Sequence, residues 1–495
     1  MASDSTNFGA ASCCWTSAAP AAGFERIERN EAADVVVVGG GICGLTAALK
    51  LAEEGRSVVV LEARQVGRQV TGRSTGKVTL QHRLIYAELV ETYGRALAKA
   101  YADANQEGLQ FIVERSRRFD VDCDLRRAPA YVYGCAAKSS KEFEREASAA
   151  KHLGLAQEVL ESAPVPFATS GALRFPDQAQ FNPALYLVGL ARAVVLAGGR
   201  IYERSRASGF ESDGRWIVDV SGTRVTARNL VMATHVPVKS PKGYATRVRP
   251  RCHVAMAFRA KSESDVPGMF IGVEESSWSF RAGRDRDGPL IVVVGENFLT
   301  GHDGDVMGRV RALDAWARAN LPVGKAICHW SNEDFDTPHR MPYVGEPDPE
   351  GAPGFHVAVG FNGWGITNGT AAGLRIARRI LTGEKPDDGL YDAERHAPKD
   401  FNPEGETQSR VESVEQISKG EGGVIDHRGE PLAVHRDDEG SLHVFSAKCT
   451  HKGCTLTWNN ADRNWNCPCH GSMFDADGTV LHGPARKPLE KRELL

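Results

Sequence analysis

The chain has 495 residues, 42% apolar and 25% charged, with a formal net charge of −3. That length holds two or three domains, and the balance suits an ordinary globular fold without the basic surface that nucleic acid or an anionic membrane would require. No N-terminal stretch pairs a basic region with an apolar one, and the longest apolar run, residues 184–199, carries Arg192 and is too short to span a bilayer. A cytoplasmic location is expected.

Residues 1–32 read as an N-terminal extension. Residues 33–63, ADVVVVGGGICGLTAALKLAEEGRSVVVLEA, read as a strand, a Gly-rich turn, a helix and a second strand. Gly39, Gly41 and Gly44 form G-x-G-x-x-G directly after the strand Val35–Val38. Glycine there lets the backbone approach a pyrophosphate seated on the helix N-terminus. Glu62, 23 residues after Gly39, ends the second strand where an acid can bond a ribose. Together these parts predict dinucleotide binding. No second fingerprint follows for a pyridine nucleotide. The Gly/Ser/Thr-rich stretch 68–82 suits a loop around a flavin diphosphate, 229–234 reads as a further strand, and 354–380 reads as strand, Gly-rich loop and helix.

The order of these four pieces resembles the D-amino-acid-oxidase superfamily of FAD enzymes, which includes glycine and sarcosine oxidases, over about residues 33–385. The resemblance implies an α/β FAD-binding domain of Rossmann-like, glutathione-reductase type, built from about 33–85, 176–244 and 346–385. It also implies a substrate domain on an antiparallel sheet, from about 86–175 and 245–345. Gly39, Gly41, Gly44, Glu62, Arg64, Thr71, Lys77 and Thr234 would line the FAD, and Gly363, Gly365, Ile366 and Thr367 would approach its flavin ring. His82, Arg281 and Trp364 are candidates for the catalytic side of the flavin; the plain alternatives are a helix cap, a surface ion pair and packing. Two features depart from or extend the pattern. The carboxylate-clamping Arg of sarcosine oxidase relatives is replaced by TGKVTLQH, and Cys328 sits rather like a cysteine that attaches flavin covalently in some of them, a buried structural thiol being the alternative.

Residues 386–410 read as a polar linker, and 411–495 as a small all-β domain of short alternating strands. That domain holds CTHKGC (449–454) and CPCHGS (467–472), which give Cys-x-His and, after 15 residues, Cys-x-x-His. A tetrahedral zinc site and a two-iron centre both suit this spacing. CPCHGS, with the later GPA at 483–485, resembles the Rieske [2Fe–2S] family. The resemblance implies Cys449, His451, Cys467 and His470 as ligands and a disulfide between Cys454 and Cys469, and it places Ser472 near the cluster with Phe474 where respiratory Rieske proteins carry a tyrosine. The expected function is an FAD-dependent oxidoreductase of an amine-type C–N bond, exchanging electrons between flavin and cluster and with an external one-electron partner. Two alternatives are inward flow from a donor through the cluster, and electron transfer or redox sensing without a small-molecule substrate. A Rieske oxygenase is disfavoured, because only 25 residues follow His470 and they hold a single histidine, His482.

Overall fold

The computed structural model describes residues 8–136, 139–239, 243–262, 265–274, 278–385, 389–402 and 410–494. Within the linker 386–410, residues 386–388 and 403–409 lie outside the described residues. The first sheet grows from Glu31–Val38, which pairs in parallel with Val58–Leu61 on one side and Thr223–Met232 on the other. Arg200–Tyr202 and Phe355–Val359 extend it in parallel, and Tyr343–Gly345 closes one edge antiparallel. Alternate side chains of a strand face opposite sides. Val35 and Val37 pack with Leu45 and Leu49 of the helix Ile42–Glu53, while Val36 and Val38 pack with Phe210, Trp216 and Val218 of a meander. An uninterrupted valine run is what a strand buried on both faces requires.

The second sheet has ten strands among the described residues and is mixed rather than wholly antiparallel. Met269–Gly272 lies parallel to Ala130–Tyr133, and Ala10–Ala11 parallel to Cys328–His329. These partners come from distant stretches, so no hairpin imposes an antiparallel sense. Residues 8–22 are therefore built into this sheet rather than appended to it: Trp15 is 1% exposed beneath Arg281. The helix Arg95–Arg118, from the stretch assigned above to the substrate domain, packs on Thr367–Thr382 against the first sheet.

Residues 410–494 form a three-stranded and a four-stranded antiparallel sheet around their own apolar clusters. This all-β domain sits firmly on the rest. Ala461, Met473 and Leu481 join the apolar cluster of the second sheet. Asp462 accepts from Arg73 at 3.1 Å and from the Ser331 backbone at 3.1 Å, and Thr457 donates to the Gly301 carbonyl at 2.7 Å. No described helix is long and apolar enough to cross a membrane.

Candidate functional site

Between the two large sheets lies a cavity of about 620 Å³, within the size range of cofactor and ligand sites. Gly39 turns at φ +113, and a Cβ there would lie 2.3 Å from the Ala233 carbonyl oxygen. Gly44 does not line the cavity. A Cβ on it would fall 2.1 Å from the Gly39 carbonyl oxygen, so glycine sets how closely the helix meets the strand. Gly41 precedes the helix Ile42–Glu53 and offers no side-chain cap; the Ile42 N–H donates to Thr71 Oγ1 at 3.5 Å, and the positive end of the helix faces the cavity, where it favours an anion. Glu62 is buried and accepts from the Gly40 and Arg64 N–H groups at 2.9 and 2.8 Å, one on each oxygen. Glu62 lines the cavity, where its carboxylate would bond a ribose. This cradle fits FAD.

Gly39, Gly41, Glu62, Arg64, Thr71, Lys77 and Thr234 all line this cavity, as do Gly363, Gly365, Ile366 and Thr367. Gly363 stands at φ +84 and donates its N–H to Asp334. Lys77 is half-buried, donating to the Phe270 carbonyl at 2.7 Å and to Ser279. Burial, and then the Arg281 charge, pull its ammonium down to about 7. Burial pushes Asp334 up to about 7, against the pull of Arg251.

Of the catalytic candidates, His82 and Trp364 line the cavity and stack on each other, ring centroids 4.7 Å apart. Both His82 nitrogens are engaged: Nδ1 with the Tyr101 hydroxyl at 2.6 Å, Nε2 with the Thr79 carbonyl at 2.9 Å and Thr367 Oγ1 at 3.1 Å. Burial holds it neutral, at about 3. Arg281 is not among the lining residues. Its guanidinium donates to the carbonyls of Thr75, Phe181 and Ala282 and lies over the Trp15 ring, so it serves structure rather than the flavin or a surface pair. Cys328 is likewise outside the lining, packed with Cys14 and Trp330. Sequence reasoning missed Arg83, Arg251, His253, Asp334, His235 and His482 as cavity residues. They meet only through pairings such as Arg251 with Asp334 across neighbouring strands, which no local motif announces.

The two Cys/His loops converge in the C-terminal domain. Cys449 is pulled down to about 7, chiefly by a hydrogen bond with Cys467, whose own thiol is pushed up. The rings of His451 and His470 meet edge to face at 4.9 Å. Burial brings both imidazoles to about 4, the neutral form that ligates metal, and His451 Nδ1 is buried without a hydrogen-bond partner among the described residues. Cys454 and Cys469 are joined as a disulfide, Cα atoms 6.5 Å apart, which ties one loop to the other. Two thiols together and two imidazoles together are the donor set of a mixed-ligand [2Fe–2S] centre.

A Gly-rich turn at the edge of a parallel sheet, a cavity walled by a second sheet and a two-loop Cys/His site define a flavoprotein joined to an iron–sulfur domain. The chain belongs to the FAD dependent oxidoreductase family, which matches residues 34–379, and carries a Rieske [2Fe-2S] domain, matched over 407–493. It is 30% identical to the putative Rieske 2Fe-2S iron-sulfur protein YhfW of Bacillus subtilis over 97% of each chain. It is 27% identical to gamma-glutamylputrescine oxidoreductase of Escherichia coli, over 78% of this chain and 91% of that one. Glycine oxidase from Geobacillus kaustophilus shares the fold at a TM-score of 0.60 and 19% identity, covering 74% of this chain and all of its own. The protein is an FAD- and [2Fe–2S]-dependent oxidoreductase.

Proposed function

We propose that the chain oxidises a C–N bond of an amine or amino-acid derivative at its FAD and passes the electrons through the Rieske cluster to an external one-electron carrier. One observation carries this reading: Leu481–Gly483 of the Rieske domain lines the same cavity as Gly39–Gly41. The flavin supplies two-electron oxidation and the cluster one-electron transfer. The C–N bond becomes C=N, its two protons leave to solvent, and two equivalents of oxidised carrier take one electron each. The names of two relatives, gamma-glutamylputrescine oxidoreductase and glycine oxidase, support the substrate class. So does the cavity: Lys77, near 7, is poised to hold or release a proton, and Arg83 supplies positive charge, whereas Arg251 is paired with Asp336.

The outward side of the cluster site suits a negatively charged carrier. His470 is 1% exposed, whereas His451 reaches partly to the surface. Around it stand exposed Lys448, Lys452, Arg486 and Lys487, and residues 448–456 and 483–488 contain no Asp or Glu. Such a patch steers an acidic partner and makes association fall with salt.

The test is anaerobic stopped-flow mixing of the full-length holoprotein with a panel of amines and amino acids, gamma-glutamylputrescine among them. The expected result is bleaching of the flavin band followed by the paramagnetic signal of the reduced cluster. If no amine or amino acid bleaches the flavin and a reduced acidic ferredoxin does, current runs inward and the dehydrogenase reading fails.

A further inference from the structure

Glu333 stands where the flavoprotein, the cavity wall and the second cluster loop meet. Its strand, Ala326–Asp336, belongs to the second sheet, and its side chain has no solvent exposure. Oε2 accepts from His482 Nε2 at 2.6 Å, across the boundary between the two domains. Oε1 is buried without a hydrogen-bond partner among the described residues. It lies 2.6 Å from where a Cβ on Gly471 would sit, so glycine at φ +67 lets the second cluster loop close onto the carboxylate. Gly483 repeats the device: at φ +101, its Cβ would fall 2.5 Å from Ser472 Cα. His482, whose ring lies 6.0 Å from that of His235, lines the FAD cavity with it. Cavity wall and cluster loop thus touch at backbone distance around a single carboxylate.

We propose that Glu333 is a positioning residue: through His482 it holds residues 480–483 and the loop 467–472 in one docked geometry against the FAD cavity, and so sets how fast the two cofactors exchange electrons. The proposal rests on the reading that flavin and cluster do exchange them, one electron per event. The physical reason is the cost of leaving a buried polar group without its hydrogen bond. If residues 480–483 shifted away, Glu333 would lose the one side-chain hydrogen bond it has among the described residues, and breaking such a buried pair from one side is unfavourable. The ion pair of Asp462 with Arg73 across the same boundary differs in that the Arg73 side chain is already 32% exposed.

The test compares wild type, Glu333→Ala, Glu333→Gln and Asp462→Asn as full-length holoproteins. Flash photoreduction with 5-deazaflavin gives the rate at which flavin and cluster equilibrate, and amide hydrogen exchange over 467–472 and 480–485 reports docking. Glu333→Ala should slow equilibration about tenfold or more, the scale on which misplaced redox partners register, and should raise exchange in both segments, with the cluster's paramagnetic spectrum unchanged. Glu333→Gln, which keeps an acceptor for His482, should recover most of the rate. Asp462→Asn should leave it near wild type, because it keeps the Glu333–His482 hydrogen bond intact. Wild-type rate and exchange in Glu333→Ala, or equal slowing by Asp462→Asn, would overturn the proposal. If Glu333→Ala does not accumulate, His482→Ala takes its place with the same expected results. If wild type itself never equilibrates, the electron-exchange reading fails, and the hydrogen-exchange comparison alone decides whether Glu333 positions the domain.

Discussion

The cluster site and the FAD cavity are built in opposite ways. Six residues between Cys449 and His470 make the first, on two loops tied by one disulfide in a domain with its own core. The second is lined by residues from Val38 to Gly483, drawn from both large sheets and from the Rieske domain itself. Metal ligation needs a few atoms within bonding reach, and a short motif delivers them. A cavity for a long cofactor needs shape, and shape comes from how whole sheets pack. A lesion in the cluster site should therefore stay local, whereas one in the cavity should spread through packing.

The harshest way to break that comparison is Cys467→Ser. Wild-type protein should carry about two irons and two labile sulfides per chain. The variant should lose both entirely and keep its FAD, checked by iron, sulfide and flavin analysis of one preparation. Concurrent loss of FAD would show that the cluster site is not local in its effects. The counterpart is Gly44→Ala. A Cβ there meets the Gly39 carbonyl at 2.1 Å and Val37 Cγ1 at 3.1 Å, so the helix must back away from the strand. Overpacking of this kind costs about 1–3 kcal/mol, which should weaken FAD binding about 10- to 100-fold by fluorescence titration while iron content stays at wild type.

The same division explains what could be read from the chain. The βαβ unit and the two cluster loops are contiguous, and each residue type in them answers a local demand: valines for a strand buried on both faces, glycines for close backbone approach, paired Cys and His for iron. Arg281 shows the opposite case. It is a charged residue on a strand, and only the fold reveals that backbone carbonyls and the Trp15 ring take up its guanidinium. Trp15 is brought there by residues 8–22, which carry no periodicity strong enough to announce two strand residues and a five-residue helix. Glu333 and His482 are 149 residues apart, and neither has a motif around it.

A gentler probe of the cavity is Lys77→Met. Lys77 goes from an ordinary lysine in the unfolded chain to about 7 in the fold, mainly through burial. Between about pH 7 and the ordinary lysine range, the unfolded state binds the proton and the folded state does not. Stability from this group is thus present at alkaline pH and lost as pH falls through 7. In FAD-depleted protein, the wild type should gain on Lys77→Met by about 1 kcal/mol or less per pH unit between pH 7 and 9, visible as a widening difference in Tm. A constant difference across that range would mean that Lys77 keeps its proton in the fold.

The smallest expected effect returns to the cluster. The Ser472 hydroxyl accepts from the Ala485 N–H at 3.1 Å, which turns its own hydrogen toward Cys449, with which it is hydrogen-bonded. A donor to a ligating sulfur stabilises the more negative, reduced cluster and raises its potential. Phe474, fully buried on the strand that follows, carries no hydroxyl and adds no second donor. Ser472→Ala should therefore lower the potential by the worth of a single hydrogen bond, about 0.5–1.5 kcal/mol, or on the order of 20–60 mV for one electron. Redox titration followed by the cluster's paramagnetic signal measures the shift, and the flavin potential in the same sample serves as the control. If both potentials fall together, the substitution has moved the docked domain rather than removed one bond. A fall in the cluster potential alone shows that its tuning is as local as its ligands.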